Sequence, residues 1–451
     1  MTVTDPFPSV WHALLAEAER GSDGSALTLI PEPGTEDTLR YDALVGNAAR
    51  CAAALAERGV GHGDRVLLCL PTGVEFLTAF FGTQLLGAVP TAIAVPIRFG
   101  GAAGFAGQMK ELVAYLRPAA VVTTEAVIEA LPELAGATLL DGAALYARAI
   151  ASDAPSHPIR RPDLDDTALI QCTSGSTGRP KGVMISHAAL AANCRQLTDA
   201  TGWTRADTTV SWAPLYHDMG LITGVLCPVY VGGGTVLMPP TRFLRAPGEW
   251  LRHISTYRGA VAAAPNFAYG YVTSRVRDEE LDGVDLSCWR MAFCGAEPVQ
   301  PATARRFVER FSRWGLPPRA FTPGYGMAEA TLVITVKRPD APFRYDSIDR
   351  ETAVTGDGWS TSTRRARPRC RWSTAACPWP TRRSVSWTTT ATPWGRTGSD
   401  TSSSAVARAR PGTSTCRRSP PPRRTRRTGG GPATSATCAT AACGSPAGPR
   451  T

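Results

Sequence analysis

A chain of 451 residues that is 43% hydrophobic can bury two or three domain cores, which excludes disorder of the whole. Its formal charge of +10 would suit a nucleic-acid partner, but Trp359 to Thr451 alone carry +16 (17 Arg, no Lys, one acidic residue, Asp400). Residues 1–358 carry −6, so no nucleic-acid partner is expected of the body.

Along the chain, short apolar runs alternate with amphipathic stretches, the pattern of parallel strands joined by crossover helices, so the fold class is α/β. Strands are predicted at Asp64 to Leu70, Pro90 to Pro96, Ala119 to Thr124, Thr167 to Thr173, Thr208 to Ala213, Thr235 to Met238, Ala260 to Ala264, Arg290 to Cys294 and Ala320 to Thr322. Helices are predicted at Tyr41 to Arg58, Gly73 to Leu86, Ser186 to Ala200 and Pro301 to Trp314. No run reaches the roughly 18 apolar residues of a membrane helix. Met1 to Arg20 carry Asp5, Glu17 and Glu19 in a helical rather than a signal-peptide pattern, so no membrane span is expected and the chain reads as cytoplasmic. The seven body cysteines sit singly without C-x-x-C spacing and read as buried thiols, and no His pair has metal-ligand spacing.

In doubly wound sheets, ligands bind beyond the carboxyl ends of the strands. Four such junctions carry chemistry. Thr173-Ser174-Gly175-Ser176-Thr177-Gly178-Arg179-Pro180-Lys181-Gly182, placed between a predicted strand and a helix, combines converging backbone amides, four hydroxyls and one ammonium, which suits phosphate. It is not a Walker A loop, because Lys181 follows Gly178 by three residues. Pro214-Leu215-Tyr216-His217-Asp218-Met219-Gly220 is the second junction, Cys294-Gly295-Ala296-Glu297-Pro298 the third, and Tyr325-Gly326-Met327-Ala328-Glu329-Ala330-Thr331 the fourth. On residues alone, His217 also fits a satisfied structural histidine and Glu329 a surface carboxylate.

Together these segments resemble the adenylate-forming (AMP-binding) superfamily over roughly residues 10–350, and Pro265-Asn266-Phe267-Ala268-Tyr269 adds to the likeness to fatty acyl-AMP ligases. The resemblance implies a large N-terminal adenylation domain of parallel sheets wrapped by helices, spanning 1–350, and ATP with Mg²⁺ as cofactors. It places Thr173, Ser174, Gly175, Ser176, Thr177, Gly178 and Lys181 at the phosphates. Gly295, Ala296, Glu297 and Pro298, with Tyr325, Gly326, Met327 and Ala328, line the adenine, and Glu329 binds the metal. His217, Asn266, Phe267 and Gly220 fall at the acyl group, with His217, Lys181 and Glu329 as the catalytic set. The implied activity is activation of a fatty acid to an acyl adenylate, followed by transfer to the phosphopantetheine thiol of an acyl carrier protein of a polyketide or peptide synthase. Coenzyme A is the alternative acceptor, and a catalytically inactive product is the alternative from another class. Cys294 departs from the family, where an asparagine is expected.

The family's ribose T-G-D motif, its G-R-x-K-D hinge and the small domain with its catalytic lysine do not appear in place. Thr355-Gly356-Asp357 stands only 28 residues beyond Glu329, too close for the family. Residues 351–451 are instead expected to be an out-of-frame, disordered tail. From Trp359 onward they contain no Leu, Ile, Phe, Met, Tyr, Lys or Glu but five Cys and five Trp, the residue set that GC-rich DNA yields when read in the wrong frame. Read one nucleotide upstream, Pro432 to Thr437 can spell T-G-D-L-G-Y, and Cys443 to Thr451 can spell L-W-V-T-G-R-A-K-D. The shift is expected between about Thr352 and Trp359. The competing expectation is an Arg-rich arm that binds nucleic acid or anionic membrane.

Overall fold

The computed structural model describes residues 7–21, 26–96, 102–131, 134, 136–173, 181–348 and 370–373, all within one of the chain's two structural units, Met1–Gly395. In chain order its strands are β1 (Ala26–Leu29), β2 (Asp37–Arg40), β3 (Arg65–Cys69), β4 (Val89–Ala92), β5 (Ala120–Thr123), β6 (Thr138–Asp141), β7 (Thr167–Thr173) and β8 (Lys181–Ser186). There follow β9 (Thr208–Ser211), β10 (Thr235–Leu237), β11 (Gly259–Pro265), β12 (Met291–Gly295), β13 (Phe321–Gly326), β14 (Val333–Val336), β15 (Tyr345–Ile348) and β16 (Cys370–Ser373). Every predicted strand and helix is present, with ends displaced by a few residues. The strands that escaped prediction are short, or polar like the exposed edge strand β2.

An eight-stranded sheet runs β14-β13-β12-β11-β9-β10-β1-β2. Its six central strands are parallel and only the edges β2 and β14 are antiparallel. A second, all-parallel sheet runs β4-β3-β5-β6, β7 and β8 form a separate antiparallel hairpin, and β15 pairs with β16. Of the predicted disordered tail, 351–451, the described residues Cys370–Ser373 form the strand β16 paired with β15, and the rest lies outside the described residues.

Alternation along the parallel strands divides the core into layers. Val261, Ala263, Met291 and Phe293 face an inner core, with Phe76, Phe80 and Phe81 of the helix Val74–Leu85. Ala262, Ala264, Ala292 and Cys294 face an outer core of Trp250, Tyr269, Trp289, Phe307 and Phe321, supplied partly by the helices Gly248–Thr256, Asn266–Arg275 and Pro301–Phe311. A third core, with Leu67, Cys69 and Val121, covers the other face of the smaller sheet. The helix His187–Thr201 begins where the Ser186 hydroxyl accepts the Ala189 amide at 3.2 Å, and ends at Gly202 in the left-handed conformation (φ 62°).

Beyond β14 the chain is pinned by Lys337, which is only 8% exposed. Its ammonium lies 2.8–3.4 Å from the carbonyl oxygens of Arg319, Arg338, Pro339 and Ala341. Burial pulls its pKa down to about 8, so the group remains largely charged at neutral pH, its charge met by carbonyl dipoles. No helix among the described residues is long and apolar enough to cross a membrane. The seven body cysteines are free thiols, five of them buried.

Candidate functional site

Because six strands of the large sheet run parallel, the carboxyl ends of β9, β11, β12 and β13 share one rim, and three of the four predicted junctions fall there. The residues at this rim enclose a cavity of about 160 Å³, lined by His217, Asp218, Met219, Phe293, Gly295, Ala296, Gly324, Tyr325, Gly326, Leu332 and Val333. Of the predicted residues, His217, Gly295, Ala296, Tyr325 and Gly326 are therefore brought together.

His217 occupies the turn between β9 and the π-helical segment Met219–Leu226. Its Nδ1 lies 2.8 Å from Asp218 Oδ1, which also accepts the Met219 amide at 2.7 Å. The Met219 amide also lies 3.2 Å from His217 Nδ1, so ring, carboxylate and turn backbone are held together. Gln171 of β7 ties this turn in place by donating to the Tyr216 carbonyl at 2.9 Å. Gly220 is buried behind the turn, where a Cβ would fall 2.1 Å from the Pro214 carbonyl oxygen; it serves the turn's close packing and does not line the cavity.

The opposite wall is backbone held under strain. Ala296, just past β12, has φ 64°, and Thr331 has φ 72°. Both are left-handed residues with a Cβ, and such outliers concentrate at ligand sites. Thr331 belongs to a tight connection in which the Met327 amide donates to the Leu332 carbonyl at 2.9 Å. Asn193, in the middle of the helix His187–Thr201, clamps the far side of this connection. Its Nδ2 donates to the Val333 carbonyl at 2.9 Å and its Oδ1 accepts the Val333 amide at 3.1 Å. Replacing Asn193 by Leu keeps the bulk but leaves both buried Val333 groups unpaired, a cost of about 2–4 kcal/mol. Urea denaturation is expected to show that loss as a lowered midpoint.

The remaining predicted residues stand around this cavity rather than in it. Asn266 and Phe267 open the helix Asn266–Arg275 after β11. Asn266 Oδ1 accepts the Gln300 amide at 2.9 Å, and Glu297 Oε1 accepts the Phe267 amide at 2.6 Å, so Glu297 acts as a helix-start acceptor. The Phe267 ring is 48% exposed and edge-on to Trp212. Pro298 and Met327 are exposed and Ala328 is buried. Glu329 is exposed in the turn Ala328–Ala330, with no hydrogen-bond or ion-pair partner among the described residues. Cys294 faces the outer core, its thiol pushed well above the usual range by burial, while Phe293 and Gly295 on either side face the cavity. The departure at Cys294 thus falls on the sheet face away from the site.

The phosphate-type segment requires a correction. It does not join a strand to a helix: Thr173 ends β7 and Lys181 begins β8, paired in register, so the segment is the tip of an antiparallel hairpin and the helix starts only at His187. The six-residue strand Lys181–Ser186 escaped prediction because its side chains mix exposed and buried, with Met184 70% exposed. Lys181 is exposed, whereas Ser174, Gly175, Ser176, Thr177 and Gly178 lie outside the described residues.

Sequence reasoning missed Asn193, Asp218, Phe293, Gly324, Leu332 and Val333. For Asn193 a signal was available: an amide on a helix face otherwise built of Leu190, Ala191, Cys194 and Leu197, all buried.

The residues present suit a nucleotide. Gly324 and Gly326 keep the floor free of side chains, the Tyr325 ring is 38% exposed at its edge, and the Lys181 ammonium is available at the hairpin tip. No group of three or more metal-ligating side chains exists among the described residues. A hard divalent ion would suit Glu329 with phosphate oxygens completing its shell, the arrangement Mg²⁺ favours.

The chain is similar to known proteins over most of its described length. The family described as AMP-binding enzyme matches residues 14–355. The long-chain-fatty-acid AMP ligase FadD23 of Mycobacterium tuberculosis is 34% identical over 339 residues, covering 71% of this chain and 56% of the relative. FadD26 of Mycobacterium marinum, named likewise, is 34% identical over 380 residues, covering 79% and 62%. The crystal structure of a fatty acyl-adenylate ligase from Legionella pneumophila, in complex with acyl adenylate and pyrophosphate, superposes with a TM-score of 0.70 at 32% identity, covering 76% of this chain and 59% of that one. The chain thus spans somewhat more than half the length of the curated relatives it matches.

Proposed function

The chain belongs to the AMP-binding enzyme family, and from that premise we propose that its site is built to activate a medium- or long-chain fatty acid with ATP. A carboxylate oxygen attacks the α-phosphorus, the bond to the bridging oxygen breaks, and acyl adenylate and pyrophosphate result. Transfer of the acyl group to the phosphopantetheine thiol of an acyl carrier protein follows, with coenzyme A as the alternative acceptor. The observation that carries this reading is the convergence of the His217–Asp218 pair, the Gly295–Ala296 bend and the Tyr325–Gly326 wall on one cavity. In this reading Tyr325 covers the adenine, and His217, oriented by Asp218, meets the acyl carboxylate beside Asn266 and Phe267. Lys181 and the segment from Thr173 to Gly178 hold the phosphates, and Glu329 holds Mg²⁺. Such groups act by meeting charge where it develops.

Residues 351–451 are in this reading a product of frame-shifted translation, and the chain as written is impaired because the lysine that assists pyrophosphate departure is encoded in the neighbouring frame. The composition of Trp359 to Thr451 supports this. Two chains test it, the one written here and one with the frame restored upstream of Trp359. Fatty-acid-dependent ATP–pyrophosphate exchange is expected from the restored chain and to be negligible from the other. Equal exchange by both would remove the impairment, stop codons in the restored frame would remove the frameshift, and no exchange from a folded restored chain with any fatty acid would remove the activity. Mass spectrometry of a carrier protein and of coenzyme A in the same reaction identifies the acceptor.

A further inference from the structure

The β7–β8 hairpin has a second end. Thr173 pairs with Lys181 at the phosphate-segment end and Thr167 with Ser186 at the other, so the two ends lie about 20 Å apart at roughly 3.3 Å per residue. At the Thr167 end is a cavity of about 440 Å³, inside the range of roughly 300–1,000 Å³ usual for small-molecule sites. Four segments that no motif connects build it: His62 before β3, Gln84 to Ala88 at the end of the helix Val74–Leu85, residues between His157 and the start of β7 at Thr167, and His187.

The polar groups here divide into those already engaged and those left over. Asp166 Oδ2 is 2.9 Å from His62 Nε2, and Asp163 Oδ1 accepts the Asp165 amide at 3.1 Å, so both acids are engaged. Arg160 and Arg161 are exposed at the cavity's edge, and neither guanidinium has an ion-pair partner among the described residues. His157 Nδ1 donates to the Pro158 carbonyl at 2.9 Å, leaving Nε2 available. His187 is only 4% exposed, lines the cavity, and its ring has no hydrogen-bond partner among the described residues. An imidazole with no protein partner that lines an open cavity is available to a ligand entering it. His187 is also the first residue of the helix His187–Thr201, whose start favours negative charge.

We propose that this cavity binds a small organic phosphate, with the phosphoryl group on the forks of Arg160 and Arg161 and its polar body hydrogen-bonded by His157 and His187. Guanidinium forks match phosphate oxygens in pairs. A hydroxylated body supplies the donor and acceptor that neutral imidazoles require; burial pulls the His187 pKa down to about 4, so that ring is neutral at pH 7.

The test uses the full chain labelled with ¹⁵N-histidine, titrated at constant ionic strength with ribose 5-phosphate, inorganic phosphate or sodium chloride. Ribose 5-phosphate is expected to shift the His157 and His187 imidazole resonances saturably and to bind more tightly than inorganic phosphate. The double variant Arg160→Ala, Arg161→Ala is expected to weaken it about tenfold or more, for loss of charge-assisted hydrogen bonds. Both arginines are exposed, so the variant's thermal unfolding should match that of the parent chain. Equal affinity for inorganic phosphate would reduce the site to a simple anion site and overturn the organic ligand. Shifts reproduced by sodium chloride, or unchanged in the double variant, would overturn the proposal as a whole. The imidazole readout does not depend on adenylate formation, so this inference and the proposed activity can fail separately.

Discussion

Gly326→Ala is expected to cost about 3 kcal/mol or more, at the upper end of what overpacking does, and to abolish nucleotide binding at the rim. An added Cβ would fall 1.7 Å from the Leu332 carbonyl oxygen, 2.7 Å from its carbon and 3.1 Å from Val333 Cα. All three are backbone atoms, so no side-chain rotation can relieve the overlap. The same Leu332 carbonyl accepts the Met327 amide, and Val333 is held by Asn193, so the connection cannot drift aside without losing those bonds too. The strands β13 and β14 would have to part at the register shift between Tyr325 and Gly326, carrying the Tyr325 ring off the cavity. Gly46→Ala is the control: it lies inside the helix Tyr41–Ala56, its Cβ would meet only the Arg50 guanidinium at 3.6 Å, and alanine favours the helix by up to about 1 kcal/mol. Urea denaturation and nucleotide binding on both variants would separate them; equal midpoints would show that the connection is far softer than its bonds imply.

Trp250→Ala is expected to cost about 3–5 kcal/mol, the usual range for truncating a fully buried aromatic. Trp250 is 0% exposed, and its ring lies 5.1 Å from Trp289, 5.6 Å from Phe243, 5.9 Å from Tyr269 and 6.2 Å from Trp212, centroid to centroid. Removing it opens a void bounded by other large rings, which cannot collapse to fill it. Trp212 in turn meets Phe267, so the loosening should spread to the predicted acyl side of the site. Phe267→Ala, at a position 48% exposed, should change stability by well under about 1 kcal/mol. A Trp250→Ala midpoint no lower than that of Phe267→Ala would refute the picture of this core as one interlocked ring cluster.

Those parts of the site governed by one physical rule were legible in the sequence. His217 follows β9 while Gly295 and Tyr325 stand at the carboxyl ends of β12 and β13, and in a parallel sheet such ends share a rim whatever the details of packing. The layered core was legible for the same reason, since nearly unbroken apolar runs such as Val66 to Cys69 and Ala120 to Thr123 need cover on both faces. Contacts set by long-range placement were not. Asn193 reaches Val333 across 140 residues, and nothing near either position announces the pairing. The strand β8 was hidden because half of it faces outward, and glycine and lysine at its start suggested a loop. The cavity at the Thr167 end was equally invisible, because Arg160 and His187 belong to no motif and meet only once the hairpin is folded.

The ammonium of Lys337 has a consequence for whatever the chain carries next. The Lys337 amide pairs with Pro323, and its side chain draws in the carbonyl of Arg319, so the chain is moored beside the beginning of β13, whereas the cavity lies at that strand's end. A downstream residue that is to serve the cavity must travel back along the strand's length, about 17 Å at roughly 3.3 Å per residue. A tether with a fixed origin and a known span to cross sets the local concentration of what it carries. Lys337 thus fixes where the chain leaves the large sheet on its way to β15.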